Sequence, residues 1–304
     1  MIPEVFARST IDREGEAGAA WLSELPQIVE DLLARWGCTL DGDVAHGQVG
    51  VIVPVRRTSG AAVLKVSFPH PGNVNEPDAF AAWGGRGAVL LYERDDERFA
   101  MLLERVQPST LGELGDGDEI AAVAGQLSRR LSIPGPAGLP RLADQADGWA
   151  EELRRGIADF PGALPVAVVD AALAVVDELG RKQPDLLVHG DFHPRNILRG
   201  EREPWLAVDP KGYVGDPAYD GATLLKPRAL ALIESEDLMK ALRHELDVFA
   251  EAAELDRERV RRWAHFQAVQ AAFHGRRNGF GRARGGPYLN RLIGLVDQLA
   301  ISWC

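Results

Sequence analysis

The chain has 304 residues and a formal net charge of −11 at pH 7, which argues against a nucleic-acid partner because nucleic acids require a basic surface. Its length allows one large domain or two lobes, and 46% hydrophobic with 26% charged residues indicates a soluble globular protein. Because it lacks a membrane-length apolar run, a signal-peptide core and a cysteine framework, we expect a cytoplasmic protein without a membrane partner.

The first 35 residues predict a helix, because apolar residues recur there every three or four positions. These residues are Leu22, Leu25, Ile28, Val29 and Leu32. Pro26 interrupts the pattern, so we expect the helix to begin near Glu24.

Turn residues and β-forming residues alternate from Thr39 to Val55 and predict two short strands joined by a turn. Gly47 and Gly50 lie at this turn. Two interpretations stay open, an ordinary hairpin turn or a glycine-rich loop over phosphates, since the spacing is not G-x-G-x-x-G.

A second apolar run, residues 61–66, contains one charged residue, Lys65. A lysine in such a run is either at the edge of a sheet facing water or buried against an anionic group, because burial of an unpaired ammonium is costly. A short helix is predicted to open at Glu76, with Pro77 in its first turn. Glu76 is the expected partner of Lys65, and Asp78 is the alternative.

The next residues predict a hairpin, with strands over residues 88–92 and 99–106, followed by Pro108 and a glycine-rich run over residues 112–117. This run predicts a boundary between an N-lobe, residues 1–106, and a mostly helical C-lobe, residues 107–304. Helical spacing of apolar residues recurs in several segments after it.

Three short apolar runs at residues 186–188, 197–198 and 205–208 each lead to a polar side chain. Residues 199–204 separate the last two runs and are typical of a hairpin turn. The polar side chains are Asp191, Asn196 and Asp209. Carboxylate and amide oxygens of this kind suit Mg²⁺, which also takes waters and the phosphate oxygens of a nucleotide.

The spacing from His189 to Asp191 and on to Asn196 follows the H-x-D-x-x-x-x-N order of kinase catalytic loops. The segments HGDFHPRNIL (residues 189–198) and AVDPKGYVGDPAYD (residues 207–220) resemble the catalytic core of the aminoglycoside phosphotransferase family. They are most similar to its streptomycin kinase and hydroxyurea phosphotransferase branch. The family resembles the protein kinases in fold.

The resemblance implies an α/β (α+β) protein with a bilobal protein-kinase-like fold, in which a small β-sheet N-lobe precedes a mostly helical C-lobe. It implies ATP and Mg²⁺ as cofactors, Asp191 as the catalytic base, and Asn196 and Asp209 as metal ligands. Lys65 would hold phosphates with Glu76 as its anchor, Gly47 and Gly50 would cover them, and the backbone near Glu104 and Val106 would read the adenine edge. His189 is expected to buttress the loop, and Asp220 is interpreted as a helix cap that could also fix the loop.

Two departures from the protein kinases point to a small acceptor. Gly190 replaces the arginine that would pair with a phosphorylated activation loop, and Asp209-Pro210-Lys211 replaces Asp-Phe-Gly. Only ten residues separate Asp209 from Asp220, and no Ala-Pro-Glu motif follows. The resemblance implies a cationic aminoglycoside such as streptomycin, and with it a role in antibiotic resistance. The acidity fits such an acceptor, although acidity also serves solubility alone.

Three alternatives remain open at this point. The acceptor could be another metabolite, such as a sugar or an amino alcohol. The chain could bind a nucleotide without transferring phosphate. It could also be a metallophosphoesterase, because Asp191, His193 and Asp216 resemble metal-binding pieces of such hydrolases. No oligomeric state is predicted.

Overall fold

The computed structural model describes residues 2–233, 237–280 and 286–303, with the backbone alone at residues 225 and 226. The chain forms two compact units. The first comprises Met1–Pro108 and Leu198–Lys211, and the second comprises Ser109–Ile197 and Gly212–Cys304. The boundary expected at residues 106 and 107 stays a prediction. No helix in the described ranges has the length and apolar character needed to cross a membrane.

The elements of regular structure alternate early in the chain and become helical later. The helices are α1 (Glu4–Arg35), α2 (Glu76–Trp83), α3 (Gly117–Leu131), α4 (Ala146–Asp159), α5 (Val166–Val175), α6 (Pro217–Thr223), α7 (Leu225–Ala231), α8 (Leu238–Ala252), α9 (Arg257–Asn278) and α10 (Gly286–Ser302). The strands are β1 (Thr39–Leu40), β2 (Ala45–His46), β3 (Gly50–Arg57), β4 (Gly60–Ser67), β5 (Leu91–Asp95), β6 (Ala100–Glu104), β7 (Leu186–Val188), β8 (Ile197–Arg199), β9 (Trp205–Ala207) and β10 (Tyr213–Gly215).

The first unit is built on an antiparallel sheet with the order β1-β3-β4-β6-β5, in which β2 also pairs with β3. Strand β4 lies inside this sheet, with Lys65 opposite Ile52 of β3 and Met101 of β6. Successive side chains of a strand point to opposite faces. Leu64 and Val66 belong to the core cluster, so Lys65 points to the other face.

Helix α1 covers the face of the sheet that carries this core cluster. Phe6, Leu25 and Leu32 are almost fully buried in it together with residues of β3, β4 and β6. The expectation that the helix begins near Glu24 is wrong, because α1 continues through Pro26. Its non-helical residue is Gly15, with φ 62° and ψ −135°, a conformation that glycine adopts without a Cβ penalty. Burial of the apolar stripe on both sides of Pro26 outweighs the backbone hydrogen bond that proline cannot donate.

Two further elements complete the first unit. Helix α2 begins at Glu76, as predicted, with Pro77 in its first turn. Strands β8 and β9 form a separate two-stranded sheet. Backbone hydrogen bonds from Val89 to Ala207 and from Ala207 to Gly87 join β9 to the segment after α2, at 3.2 and 2.9 Å.

The second unit is helical around a short β7–β10 ladder. Its largest buried side chains include Phe249 of α8 and Trp263, Phe266 and Phe273 of α9. Helix α3 begins at an Asp116 cap that accepts hydrogen bonds from Asp118 and Glu119 backbone N–H groups. These helices form because each buries one apolar face against a neighbour.

Two aspartates near the start of α6 have different structural roles. The prediction that Asp220 caps a helix is wrong, because Asp216 is the N-cap of α6 and accepts a hydrogen bond from Ala218 N–H. Asp220 lies one turn further on and is buried. Its carboxylate accepts the backbone N–H groups of His189 and Gly190, each at 2.8 Å. Asp220 therefore anchors the loop that contains Asp191.

Substitution of Asp220 by asparagine should change how stability depends on pH. Burial raises the pKa of Asp220 from 3.8 to about 7, against the two backbone hydrogen bonds that favour its ionised form. The native protein therefore holds this proton more tightly than the unfolded chain does. The resulting stability is fully present below the unfolded pKa and is lost as the pH rises through about 7.

We expect the free energy of unfolding of the natural protein to fall by about 2 kcal/mol, relative to Asp220→Asn, between pH 5 and pH 8. Chemical denaturation of both proteins across this range measures the difference. A difference that stays constant or grows with pH would contradict the burial of an ionisable Asp220.

Candidate active site

Lys65 forms a buried ion triad with Glu76 and Asp209 in the first unit. The Lys65 Nζ atom lies 2.5 Å from Oε1 of Glu76 and 2.6 Å from Oδ1 of Asp209. The side chain of Lys65 is 9% exposed and that of Glu76 is 1% exposed, whereas that of Asp209 is 40% exposed. The ammonium therefore links the sheet, α2 and the segment after β9, and Asp209 is the member of the triad that solvent reaches.

The charges of this triad are strongly coupled. Burial lowers the pKa of Lys65, but the carboxylates of Asp209 and Glu76 outweigh it and raise that pKa above its usual value. Burial raises the pKa of Glu76 to about 7, although the Lys65 ammonium acts in the opposite direction. Lys65 therefore remains protonated, which is the state that attracts an anionic ligand.

The structure resolves the choice between the two candidate partners of Lys65. Asp78 lies two positions further along α2 than Glu76 and instead pairs with Arg94 at 2.7 Å. Lys65 is not at a sheet edge, because β3 and β6 flank its strand. Both facts follow from the register of β4 and from the helix that starts at Glu76.

Asp209 has an unusual backbone conformation for a residue with a side chain, with φ 59°. Few residues other than glycine occupy this region, and aspartate is among those that do so more often. The conformation occurs two residues after the end of β9, and the Asp209 carboxylate contacts Lys65. Such local strain persists where surrounding contacts fix it, and the ion pair with Lys65 is one of these contacts.

The loop after β7 holds Asp191 in the second unit. Asp191 N–H donates to Nδ1 of the fully buried His189 at 3.3 Å, so His189 buttresses the loop as expected. Gly190 has φ 82°, a value that suits glycine. The carboxylate of Asp191 is 39% exposed and lies 3.9 Å from Nε2 of His193. Hydrogen bonds therefore hold the backbone of this loop, while the Asp191 carboxylate remains partly exposed.

Asn196 belongs to the same loop. Its Nδ2 atom donates to the backbone oxygen of Asp191 at 3.0 Å, and residues 194–196 form a single 3₁₀ turn. Because the amide N–H side is engaged, the Oδ1 atom is the part of Asn196 suited to binding a cation.

The donor chemistry fits a magnesium ion that is shared with a phosphate ligand. The described residues contain no group of three or more His, Cys, Asp or Glu side chains that could hold a metal. Asp209 offers a carboxylate and Asn196 an amide oxygen, and these are donor types that Mg²⁺ uses together with phosphates and waters. Lys65 and Glu76 lie in the first unit with Asp209, and Asn196 lies in the second.

The glycine turn is part of the sheet. Gly47 N–H donates to the oxygen of Gly50 at 2.9 Å, between the paired strands β2 and β3. A Cβ atom at Gly50 would lie 2.6 Å from Oγ of Ser67 and 2.8 Å from the oxygen of Val66. The turn is thus a hairpin in which Gly50 permits close packing on β4, and its contact with phosphates stays a prediction.

The residues expected near an adenine lie at the end of β6. Val106 is half-buried in the segment that follows this strand, and Glu104 is buried. The Glu104 carboxylate already accepts hydrogen bonds from Arg202 and from Leu90 N–H, the latter at 3.0 Å. A base would therefore meet the backbone of this segment and not the Glu104 carboxylate. Arg202 was not among the predicted site residues, because a charged residue in a predicted turn carries no signal for a distant contact.

The contacts of Asp216 remove the support for a metallophosphoesterase. Its Oδ2 atom accepts hydrogen bonds from Nε of Arg259 at 2.5 Å and from Nε1 of Trp263 at 2.6 Å, while Oδ1 accepts from Ala218 N–H. A carboxylate that is buried and bonded on both oxygens has no oxygen directed at a metal. Asp216 is a structural residue.

Comparisons with known proteins agree with this arrangement. A family profile described as "Aminoglycoside/hydroxyurea antibiotic resistance kinase" matches residues 35–279. Streptomycin 6-kinase of Streptomyces glaucescens is 37% identical over 274 residues, which are 89% of this chain and 89% of that protein. Hydroxyurea phosphotransferase of Kitasatospora aureofaciens is 34% identical over 278 residues, which are 88% of this chain and 78% of that protein.

The fold is also shared with solved structures. The crystal structure of the aminoglycoside phosphotransferase APH(4)-Ia has a TM-score of 0.58 at 12% identity, with 91% of this chain and 99% of that chain covered. The protein-kinase-like fold class is confirmed, and so is the predicted enzyme class, a phosphotransferase. The chain therefore belongs to the aminoglycoside/hydroxyurea antibiotic resistance kinase family, which its catalytic-loop sequence resembles.

Proposed function

We propose that this protein transfers the γ-phosphoryl group of ATP, with Mg²⁺, to a hydroxyl of a cationic aminoglycoside such as streptomycin. The family and the streptomycin 6-kinase relatives support this acceptor, and the net charge of −11 is compatible with a cationic substrate. The observation that carries the proposal is the buried contact of Lys65 with Glu76 and Asp209.

The triad supports a nucleotide site because its protonated lysine can form an ion pair with a phosphate group. A protonated lysine inside the sheet, held by Glu76, is positioned for the α/β-phosphates of ATP. Asp209 neutralises the same ammonium and, as the exposed member, would turn to Mg²⁺ when phosphates take its place. Exchange of an anionic carboxylate for anionic phosphates keeps the buried ammonium paired at each stage.

Asp191 acts as the base in this proposal. It accepts the proton of the acceptor hydroxyl, whose oxygen forms the new bond to the γ-phosphorus while the bond to the β-phosphate bridging oxygen breaks and ADP leaves. Phosphoryl transfer depends mainly on positioning and on neutralising charge. The backbone anchors from Asp220 and His189 support this role, because they fix the loop while the Asp191 carboxylate remains accessible.

Asn196 and Asp209 are proposed as the protein ligands of Mg²⁺, which when bound neutralises the phosphate oxygens. The hydrogen bond of Asn196 to the Asp191 backbone supports this assignment, because it orients the amide so that its oxygen is the remaining polar atom. Gly47 and Gly50 are proposed to approach the phosphates. The backbone at residues 104–106 is proposed to bind the adenine.

The second candidate acceptor is hydroxyurea, since a hydroxyurea phosphotransferase is 34% identical to this chain. Both acceptors use the same nucleotide site. An ADP-release assay with streptomycin, hydroxyurea, choline and a neutral sugar separates them. The proposal requires streptomycin to give the highest kcat/KM, and ADP release with none of these acceptors would contradict it.

Replacement of Asp191 by alanine should abolish transfer and preserve nucleotide binding. Loss of a positioned base typically costs about 10²- to 10⁴-fold in rate, so we expect kcat for streptomycin phosphorylation to fall by at least about 10²-fold. The dissociation constant for ATP, measured by calorimetry, should change less than about threefold, because Asp191 acts on the acceptor.

Asp170→Ala is the matched control, because Asp170 is exposed on α5 in the same unit. It should retain full activity. Unaltered turnover in Asp191→Ala would remove the assigned base, and a parallel loss of ATP binding would show that the residue serves the nucleotide instead.

Replacement of Asn196 by alanine should raise the Mg²⁺ concentration needed for half-maximal activity by at least about tenfold, because one of two protein ligands is removed. Titration of Mg²⁺ at saturating ATP and acceptor measures this shift. Asn290→Ala, at an exposed position of α10, controls for the substitution itself. A lower kcat with an unchanged Mg²⁺ requirement would mean that Asn196 only supports the loop.

A further inference from the structure

Arg202 lies in the turn between β8 and β9 and uses every N–H group of its guanidinium. Its Nε atom lies 3.2 Å from both carboxylate oxygens of Glu104, and Nη2 lies 2.8 Å from Oε2 of the same residue. The second hydrogen of Nη2 is directed to the oxygen of Ala88 at 2.8 Å. Nη1 donates to the oxygen of Gly85 at 2.7 Å and to Glu203 at 2.9 Å.

The carboxylate of Glu104 is the centre of this cluster. Beyond its contacts with Arg202 it accepts Leu90 N–H at 3.0 Å, and Glu104 N–H donates to the oxygen of Leu90 at 2.8 Å. The carboxylate is 11% exposed and the Arg202 side chain 33% exposed. The carboxylate is therefore largely withdrawn from water while the guanidinium is partly exposed, and a forked arginine–carboxylate contact fixes geometry as well as charge.

Arg202 joins three segments of the first unit that are distant in sequence. These are the end of β6, the segment that carries Gly85 and Ala88 after α2, and the β8–β9 turn. A backbone hydrogen bond from Gln107 N–H to the oxygen of Arg199, at 2.9 Å, ties the residues after β6 to the same hairpin. Residues 104–106 are thus held at both ends by one hairpin, whose other end leads to Asp209.

We propose that Arg202 is a positioning residue for nucleotide recognition, which holds the backbone of residues 104–106 in the conformation that binds a purine edge. This inference rests on the proposed function, which assigns that backbone to the adenine of ATP. Arg202 does not touch the nucleotide. It sets how tightly and how selectively the base is bound, while phosphoryl transfer at Asp191 is unaffected once the nucleotide is in place.

The arginine fork is specific for this role. Lysine could keep the charge contact with Glu104, but its single ammonium cannot reach the Glu104 carboxylate and both backbone oxygens in the same planar arrangement. Arg202→Lys and Arg202→Gln therefore form a graded pair, in which lysine retains the ion pair and glutamine removes it.

The experiment measures the dissociation constants of ATP and GTP by calorimetry, and kcat and KM with streptomycin, for both variants. In Arg202→Gln we expect the dissociation constant and KM for ATP to rise about tenfold, with a smaller rise in Arg202→Lys. The ratio of ATP to GTP affinity should move towards one, and KM for streptomycin should stay within about twofold.

Arg199→Gln is the matched control. Arg199 carries the same charge in the same hairpin, and its guanidinium lies 5.4 Å from the ring centroid of Trp205 and not at Glu104. This variant should bind ATP and GTP as the natural protein does. Thermal unfolding of all variants identifies any loss of fold, and Arg202→Lys remains the test if Arg202→Gln is unstable.

Unchanged nucleotide affinity and base preference in both Arg202 variants would overturn the inference. A loss of active protein that lowers kcat equally with ATP and GTP, with KM unchanged, would also overturn it, because that is the signature of a merely structural residue. Failure of the natural protein to phosphorylate any acceptor would instead count against the proposed function, since the calorimetric comparison needs no acceptor.

Discussion

The burial of one ammonium group, that of Lys65, constrains the rest of the first unit. An unpaired charge inside a sheet would cost several kcal/mol, so two carboxylates must reach it. Glu76 lies 11 residues further along the chain and Asp209 lies 144 residues away. Contact with Asp209 requires the hairpin of β8 and β9 to fold onto the N-terminal sheet. The charge that the proposed chemistry needs therefore also determines which segments must assemble.

Charged side chains also fix the backbone in the second unit and in the β8–β9 hairpin. Asp220 accepts two backbone N–H groups of the loop after β7 with its two carboxylate oxygens. The guanidinium of Arg202 donates hydrogen bonds to the end of β6 and to the segment after α2. In both cases a charged side chain fixes backbone, through the buried Asp220 and the partly exposed Arg202, and leaves a different group, Asp191 or residues 104–106, open to ligands. Rigid support next to an exposed reactive group is what phosphoryl transfer by positioning requires.

Local sequence patterns predicted the features that depend on residues close together in the chain. The H-x-D-x-x-x-x-N spacing predicted the family that the comparisons confirm, and Pro77 located the start of α2 next to the Lys65 partner. The errors lie where tertiary contacts outweigh propensity. Helix α1 continues through Pro26 because its apolar stripe is buried on both sides of the proline. Asp220 was predicted to cap a helix, but its carboxylate binds the backbone of the loop after β7. The contacts of Arg202 with Gly85, Ala88 and Glu104 could not be predicted from local patterns, because these residues are 98 or more positions away in the chain.

The central claim, that the Lys65 ammonium serves the nucleotide phosphates, is tested most directly by the kinetics of Lys65→Met beside Lys182→Met, an exposed lysine. Glu76 can take up a proton near neutral pH, so the apolar substitution leaves no obligatory buried charge. We predict that kcat/KM for ATP falls by about 10²-fold or more in Lys65→Met, that KM for streptomycin changes less than twofold, and that Lys182→Met is unaffected. An unchanged kcat/KM for ATP in Lys65→Met would contradict the account.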